Sequence, residues 1–200
     1  MDRTIDYYEK YAESFADGTV DVEFADVQNK FISLLPEKGF ILDFGCGSGR
    51  DTKYFIGKGF RVDAVDGSES LCQIAARNTG IPVRHMFFWE LDVDAIYDGI
   101  WACSSILHLP KDVLRDVLYK MMRAVKIGGF IYTSFKYGEF EGYRNERYFI
   151  DFTEKSLEEF IRTIPEIEIV EEWVSADARP GRSDEKWLNL ILRKDHIESL

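Results

Sequence analysis

The densest chemistry in the chain lies in the run Asp43-Phe44-Gly45-Cys46-Gly47-Ser48-Gly49. Apolar Phe40, Ile41 and Leu42 lead into it and a helical pattern starts at Arg50, so three glycines fall in the turn between a buried strand and a helix. Glycine at such a turn permits positive φ and lets bare backbone lie against a ligand. A second strand, Val62-Asp63-Ala64-Val65-Asp66, also ends on an acid. Asp66 stands 21 residues after Gly45. That separation puts a carboxylate at the tip of the neighbouring strand, within reach of two ribose hydroxyls. Together the two elements predict a nucleoside site.

Two kinds of nucleoside ligand share this geometry. A dinucleotide fingerprint, GxGxxG, counted from Gly45 needs glycine at position 50 so that the helix can approach a pyrophosphate, and that residue is Arg50. The turn instead reads GxGxG behind an acidic strand end. It suits a nucleoside without phosphate that carries a zwitterionic amino-acid tail.

Other residues are candidates for chemistry on an acceptor. Of the three histidines, His108 in Leu107-His108-Leu109-Pro110 is best placed for a general base, against a plain packing or capping role at the top of the sheet; His85 and His196 are poorer. Tyr7, Tyr8 and Tyr11 share the first helix, and an aromatic ring there can lie against a cation. Lys136, Tyr143, Arg144 and Arg147 follow a strand end, and Arg179 and Arg182 flank Pro180-Gly181. Lys136, Arg179 and Arg182 are expected to bind an anionic group of the acceptor, against a solvated-loop reading. Cys46, Cys72 and Cys103 form no CxxC pair, so neither a disulfide framework nor a metal site is indicated.

The elements that position these residues follow from periodicity. Ile5, Tyr8, Ala12 and Phe15 recur at helical spacing, as do Phe24, Val27, Phe31 and Leu34 before Pro36. Strands are predicted at Phe40–Leu42, Arg61–Val65, Val83–Phe87, Gly99–Cys103 and Phe130–Phe135. Helices alternate with them at Arg50–Ile56, at Ser68–Asn78 capped by Ser68, and after Pro110, the last closed by Gly128 and Gly129. A helix at Thr153–Ile164 and strands at Ile167–Val174 and Trp187–Leu192 finish the chain. The alternation predicts a doubly wound, mostly parallel α/β sheet of seven strands with the last antiparallel, and ligands beyond the carboxyl ends of its strands.

Two hundred residues make one domain, read here as residues 1–200 with 1–36 as a helical cap. Hydrophobic content of 46% supplies its core. Twenty-five basic against 36 acidic residues give a net charge of −11, which opposes nucleic acid and anionic membranes alike. No secretory signal or membrane span is evident, so the expected location is cytoplasmic. Oligomeric state is not legible.

The segments DFGCGSGRDT, VDAVD, DGIWACSSILHLP and IGGFIYTSFK resemble, in order, the class I S-adenosylmethionine-dependent methyltransferases, and most closely the small bacterial branch with the tellurite-resistance type enzymes. The likeness spans roughly Tyr7 to Lys194. It implies a Rossmann-like methyltransferase fold and S-adenosyl-L-methionine as cofactor. It also implies that Gly45, Cys46 and Gly47 line the methionyl part with Asp43 orienting the turn, and that Asp66 holds the ribose. Gly67 and Ser68 would border the adenosine, Cys103 and Ser104 the methionine, and the first helix, with Tyr8 or Tyr11, would close over the site. Many relatives place an acid after the third strand for the adenine amino group; this chain has Met86-Phe87-Phe88-Trp89 and its first acid at Glu90. Either a backbone carbonyl takes the amino group or Glu90 reaches it, and Phe87 and Phe88 are expected against the adenine ring. The implied activity is methyl transfer to a small-molecule acceptor, with protein methylation or non-catalytic cofactor binding as the alternatives.

Overall fold

The structure, a computed structural model, describes residues 3–195; His196 lies outside them. Five parallel strands form the centre: β1 (Phe40–Phe44), β2 (Arg61–Asp66), β3 (Val83–His85), β4 (Tyr97–Ala102) and β5 (Val125–Tyr137). Their order is β3-β2-β1-β4-β5. The strand sequence therefore reverses at β1, between β2 and β4, which opens a crevice above the β1 turn. Two long strands, β8 (Ile167–Ala176) and β9 (Lys186–Lys194), complete the far side, with β9 antiparallel to both β5 and β8.

Side chains of β1 alternate between two cores, as a pleated strand covered on both faces requires. Leu42 and Phe44 join Ile100, Ile131 and the stripe Leu114, Val117, Leu118 and Met121 of α6 (Lys111–Ala124). Ile41 points the other way, into a cluster with Trp101, Tyr132, Phe31 of α3 (Ala25–Ile32) and Phe55 of α4 (Arg50–Gly57). Helix α5 (Glu69–Thr79) starts at Ser68, whose hydroxyl accepts from the Leu71 amide, and ends at Gly80 with φ 75°. The last helix, α7 (Glu154–Ile161), packs Leu157, Phe160 and Ile161 into the first core.

Four expectations change. The first helix is two, α1 (Arg3–Lys10) and α2 (Ala12–Asp17), because Tyr11 leaves helical geometry at φ −114°, ψ 21°. The break turns α2 onto α5, where Ala12 and Ala16 meet Leu71 and Ile74. Gly128 and Gly129 do not close α6: buried Val125 already pairs with Tyr97, so the glycines fall in an irregularity inside β5. β3 ends at His85, short of Phe87, because Phe87 caps a 3-10 turn at 88–90. Finally the sheet has nine strands among the described residues. The extra pair is a hairpin of β6 (Glu141–Arg144) and β7 (Arg147–Phe152), and β7 adds to the end of β5 at Lys136 and Tyr137. Its two-residue turn, Asn145-Glu146, has φ 47° and 67°. Asn between runs of aromatic residues is the sequence signal that would have marked it.

Candidate functional site

The carboxyl ends of β1, β2, β4 and β5 open into one cavity of about 220 Å³, roofed by α1 and α2 and walled on the β9 side by residues 175–179. The glycine turn forms its floor. Gly45 has φ 88°, and a Cβ there would stand 2.5 Å from Ser105 Cβ; Gly49 has φ 80°, and a Cβ would stand 2.7 Å from Thr79 Cγ2 and 3.2 Å from the Ala75 backbone. Side chains are excluded at both on conformation and on space. Ser105 donates to the Phe44 carbonyl at 2.7 Å, tying the ends of β1 and β4 together under the cavity.

Asp66 lies where the sequence put it, buried at the tip of β2. Its Oδ2 accepts from the Gly47 amide and its Oδ1 from the Ser68 amide, both at 2.9 Å. Burial raises its pKa, against those two hydrogen bonds that favour the charged form. A carboxylate offers about four lone-pair positions, so two amides leave capacity for two further donors.

Gly45, Cys46, Gly47, Asp66, Gly67, Phe87, Phe88, Cys103, Ser104, Tyr8 and His108 all border the cavity. Asp43 does not: it is buried below the turn, accepting from Thr52. Burial and then the Asp51 charge push its pKa up. Ser68 is likewise beneath the surface, spent on the α5 cap and on Glu9 of α1. Tyr11 faces away, its ring against Tyr7 and Lys10, because the helix breaks at its own backbone. Glu90 is not aimed at the cavity either, since its Oε2 accepts from the Phe87 amide at 2.7 Å. Phe87 stacks on Trp89 at 4.9 Å, and Phe88 meets Phe44 edge to face at 4.8 Å. Burial drives the Cys46 thiol well up and the Cys103 thiol to about 12, so neither is a nucleophile at neutral pH.

His108 sits in a chain of three groups. Its Nδ1 is 2.6 Å from the Tyr148 carbonyl and its Nε2 is 2.8 Å from the Tyr8 hydroxyl. A carbonyl only accepts, so Nδ1 carries the proton and Nε2 accepts from Tyr8. Burial lowers the pKa to about 4, the Arg147 charge adding to the effect against the Tyr148 hydrogen bond. The imidazole is neutral at physiological pH and α1 is pinned to the end of β4.

The basic residues expected to grip an anion do border the cavity, but their charges are taken. Arg179 forks onto Asp177 through Nε at 2.9 Å and NH2 at 2.5 Å, and Trp187 donates to the same carboxylate at 3.0 Å. Burial alone would raise the Asp177 pKa; Arg179 and Trp187 hold it far below the usual range. Arg182 bonds Glu185 at 2.5 Å, and Lys136 reaches Glu185 and, at 3.5 Å, Asp177. The two guanidinium groups thus converge on the chain's own carboxylates. Sequence spacing showed the arginines but not that Asp177 and Glu185, in the same turn, would claim them.

Sequence reading missed one further part of the wall, Asp51, and left another, Arg147, among several basic candidates. Asp51 is buried and accepts from Arg50 at 2.8 and 2.9 Å, from Trp101 Nε1 at 2.8 Å and from Gln28 at 2.6 Å. That cluster fixes Arg50 against the Phe24 ring, 4.9 Å away. Arg147, on the unforeseen β7, reaches in beside Tyr8 and Phe149.

Residues 41–129 match the family described as a methyltransferase domain. Over 97% of its length the chain superposes on the 1,6-didemethyltoxoflavin-N1-methyltransferase of Burkholderia thailandensis, whose crystal structure holds S-adenosylhomocysteine, with a TM-score of 0.80, 22% identity and 88% of that chain covered. The chain has the class I methyltransferase fold. Among curated proteins the chain is 30% identical over 117 residues to a putative methyltransferase, YqeM, of Bacillus subtilis, and 26% identical over 115 residues to the ubiquinone biosynthesis O-methyltransferase of Rickettsia conorii. The matches take in 52% and 55% of this chain. The chain spans less than half of either relative, 47% and 37%. No helix of the described residues is long and apolar enough to cross a membrane.

Proposed function

We propose that the protein is an S-adenosylmethionine-dependent methyltransferase that passes a methyl group in line to a small-molecule acceptor. The observation that carries this reading is the turn of Gly45, Cys46 and Gly47, which lines the cavity beside the Asp66 carboxylate at the point where strand order reverses. Arg50 in place of a third fingerprint glycine argues against a pyrophosphate-bearing ligand. We also place the chain with the small bacterial methyltransferases of the tellurite-resistance type, which DFGCGSGRDT, VDAVD, DGIWACSSILHLP and IGGFIYTSFK together resemble.

The residues fit the cofactor group by group. Asp66 has lone pairs for the two ribose hydroxyls, and Gly67, Phe87 and Phe88 offer a flat, mostly apolar bed for the base. Gly45 to Gly47 would flank the amino-acid tail, with Cys103 and Ser104 at the end of β4 opposite. When bound, S-adenosylmethionine supplies an electrophilic methyl on a sulfonium. The protein's part is then alignment and exclusion of water, for which no catalytic triad is required. Within residues 1–36, α1 and α2 serve as the cap, and the Tyr8 ring presents its face to a cationic neighbour. His108, neutral and already accepting from Tyr8, acts first as a positioning group.

Calorimetry tests the reading. S-adenosylhomocysteine should bind at micromolar affinity or tighter and NAD should not bind. Turnover of a metabolite panel, read as release of the demethylated cofactor, should then find an acceptor. NAD binding without a response to S-adenosylhomocysteine would overturn it.

A further inference from the structure

Five lysines and arginines line the cavity: Arg50, Lys136, Arg147, Arg179 and Arg182. Four have carboxylate partners: Arg50 has Asp51, Lys136 and Arg182 share Glu185, and Arg179 has Asp177. Arg147 has none among the described residues. Its Nε is shut off from solvent and meets no acceptor, and its one side-chain hydrogen bond among the described residues is a long one, 3.4 Å from NH1 to the Tyr8 hydroxyl. Aromatic rings surround the guanidinium: Tyr7 at 4.5 Å, Phe149 at 5.2 Å and Tyr8 at 5.8 Å. Rings attract a cation's faces but leave its in-plane N–H groups unmatched, and a half-buried cation lacking an anion is costly in a chain that has carboxylates to spare.

We propose that Arg147 is the anchor for the methyl acceptor, and that this acceptor is a flat aromatic small molecule bearing a carboxylate. This rests on the methyltransferase reading and names its substrate class. A planar guanidinium with aromatic rings around it and no anion matches a planar carboxylate edge to edge, and the rings of Tyr8 and Phe149 beside it suit a flat aromatic body. Charge balance points the same way. The cofactor brings a sulfonium as well as its own ammonium and carboxylate, so together with Arg147 it adds two positive charges to the site, against the one Asp66 carboxylate. An anionic acceptor offsets the excess. Neutral His108 next door supplies no negative charge of its own. Arg147 also comes from the β6–β7 hairpin at the end of β5, whereas the cofactor residues come from β1, β2 and β4. Binding and chemistry are thereby assigned to different elements.

The carboxylate of the cofactor's own tail is the competing anion, and one set of titrations separates the two. S-adenosylhomocysteine is titrated into wild type, Arg147→Gln and Arg147→Lys by calorimetry. Benzoate and benzamide, equal in shape and different in charge, are then titrated into each loaded protein and followed by ¹H–¹⁵N chemical shifts. The expected result is that wild type binds benzoate at least about tenfold tighter than benzamide, with shifts at Phe149 and His108. Arg147→Gln should erase the preference, Arg147→Lys should keep part of it, and all three should bind S-adenosylhomocysteine within twofold. A tenfold loss of S-adenosylhomocysteine affinity in Arg147→Gln would place Arg147 on the cofactor and overturn the proposal. So would a wild type that binds benzoate no better than benzamide, or binds neither, a comparison that needs no folded variant. Failure of wild type to bind S-adenosylhomocysteine would instead overturn the methyltransferase reading.

Discussion

Asp66 and His108 face the same cavity with opposite electrostatic situations, and each carries a prediction. Asp66 is buried with two amide donors, and two ribose hydroxyls would complete its shell. Charge-assisted hydrogen bonds contribute about 1.5–3 kcal/mol each, so Asp66→Ala should weaken S-adenosylhomocysteine binding at least about tenfold while circular dichroism stays native. Unchanged affinity in a folded variant would remove Asp66 from the site. His108 has a pKa lowered to about 4, so between there and its ordinary value near 6.5 the unfolded chain binds a proton that the folded chain does not. The contribution to stability is fully present above pH 6.5 and shrinks as pH falls, by up to about 1.4 kcal/mol per pH unit. Urea midpoints at pH 7 and pH 5 should therefore drop further for wild type than for His108→Gln. Equal drops would mean that the imidazole is solvated.

Helix α1 is too short to be stable alone, at eight residues, and is held by what it touches. Glu9 accepts from the Ser70 amide at 3.0 Å and from the Ser68 hydroxyl, placing a carboxylate on the positive end of α5. Tyr8 bonds His108, and Thr4 accepts from the Tyr148 amide at 3.0 Å. Burial opposes the Glu9 charge, but the Ser68 and Ser70 hydrogen bonds prevail and lower its pKa. Glu9→Ala should loosen the roof without unfolding the sheet. Hydrogen exchange of α1 and α2 should quicken about five-fold, the equivalent of a single hydrogen bond of ~1 kcal/mol, with β1 and β4 unchanged. Uniform acceleration across the chain would show that the helix is part of the global fold unit.

At the scale of the molecule, cofactor and fold are linked by mass action. A ligand held at 100 times its Kd stabilises the native state by about 2.7 kcal/mol. For a chain of this size that corresponds to a rise in Tm of roughly 5–10 °C with S-adenosylhomocysteine. NAD at the same concentration should leave Tm in place, and an equal rise with NAD would contradict the reading of the glycine turn. The net charge of −11 bears on acceptors as well, because it selects against polyanions while Arg147 offers one local exception.

The sequence by itself determined whatever depends on neighbours along the chain. Strand, glycine turn and helix are contiguous, so DFGCGSGR specified its own geometry; Asp66 was placed by a helix and a strand of predictable length. The burial of β1 on both faces was legible for the same reason, since Phe40, Ile41 and Leu42 form an unbroken apolar run. Tertiary structure decided the pairings. Arg179 and Arg182 read as free cations until the turn brought Asp177 and Glu185 back onto them, and Asp51 could be seen as a buried anchor only once Gln28 and Trp101 came from other elements. The break at Tyr11 depended on the docking of α2 against α5, which no local propensity encodes. Arg147 stood in the sequence as one of several basic residues after a strand end and could not be singled out, because the hairpin that delivers it to the cavity adds to β5 only through contacts distant in sequence, and only the fold shows that no carboxylate of the described residues pairs with it.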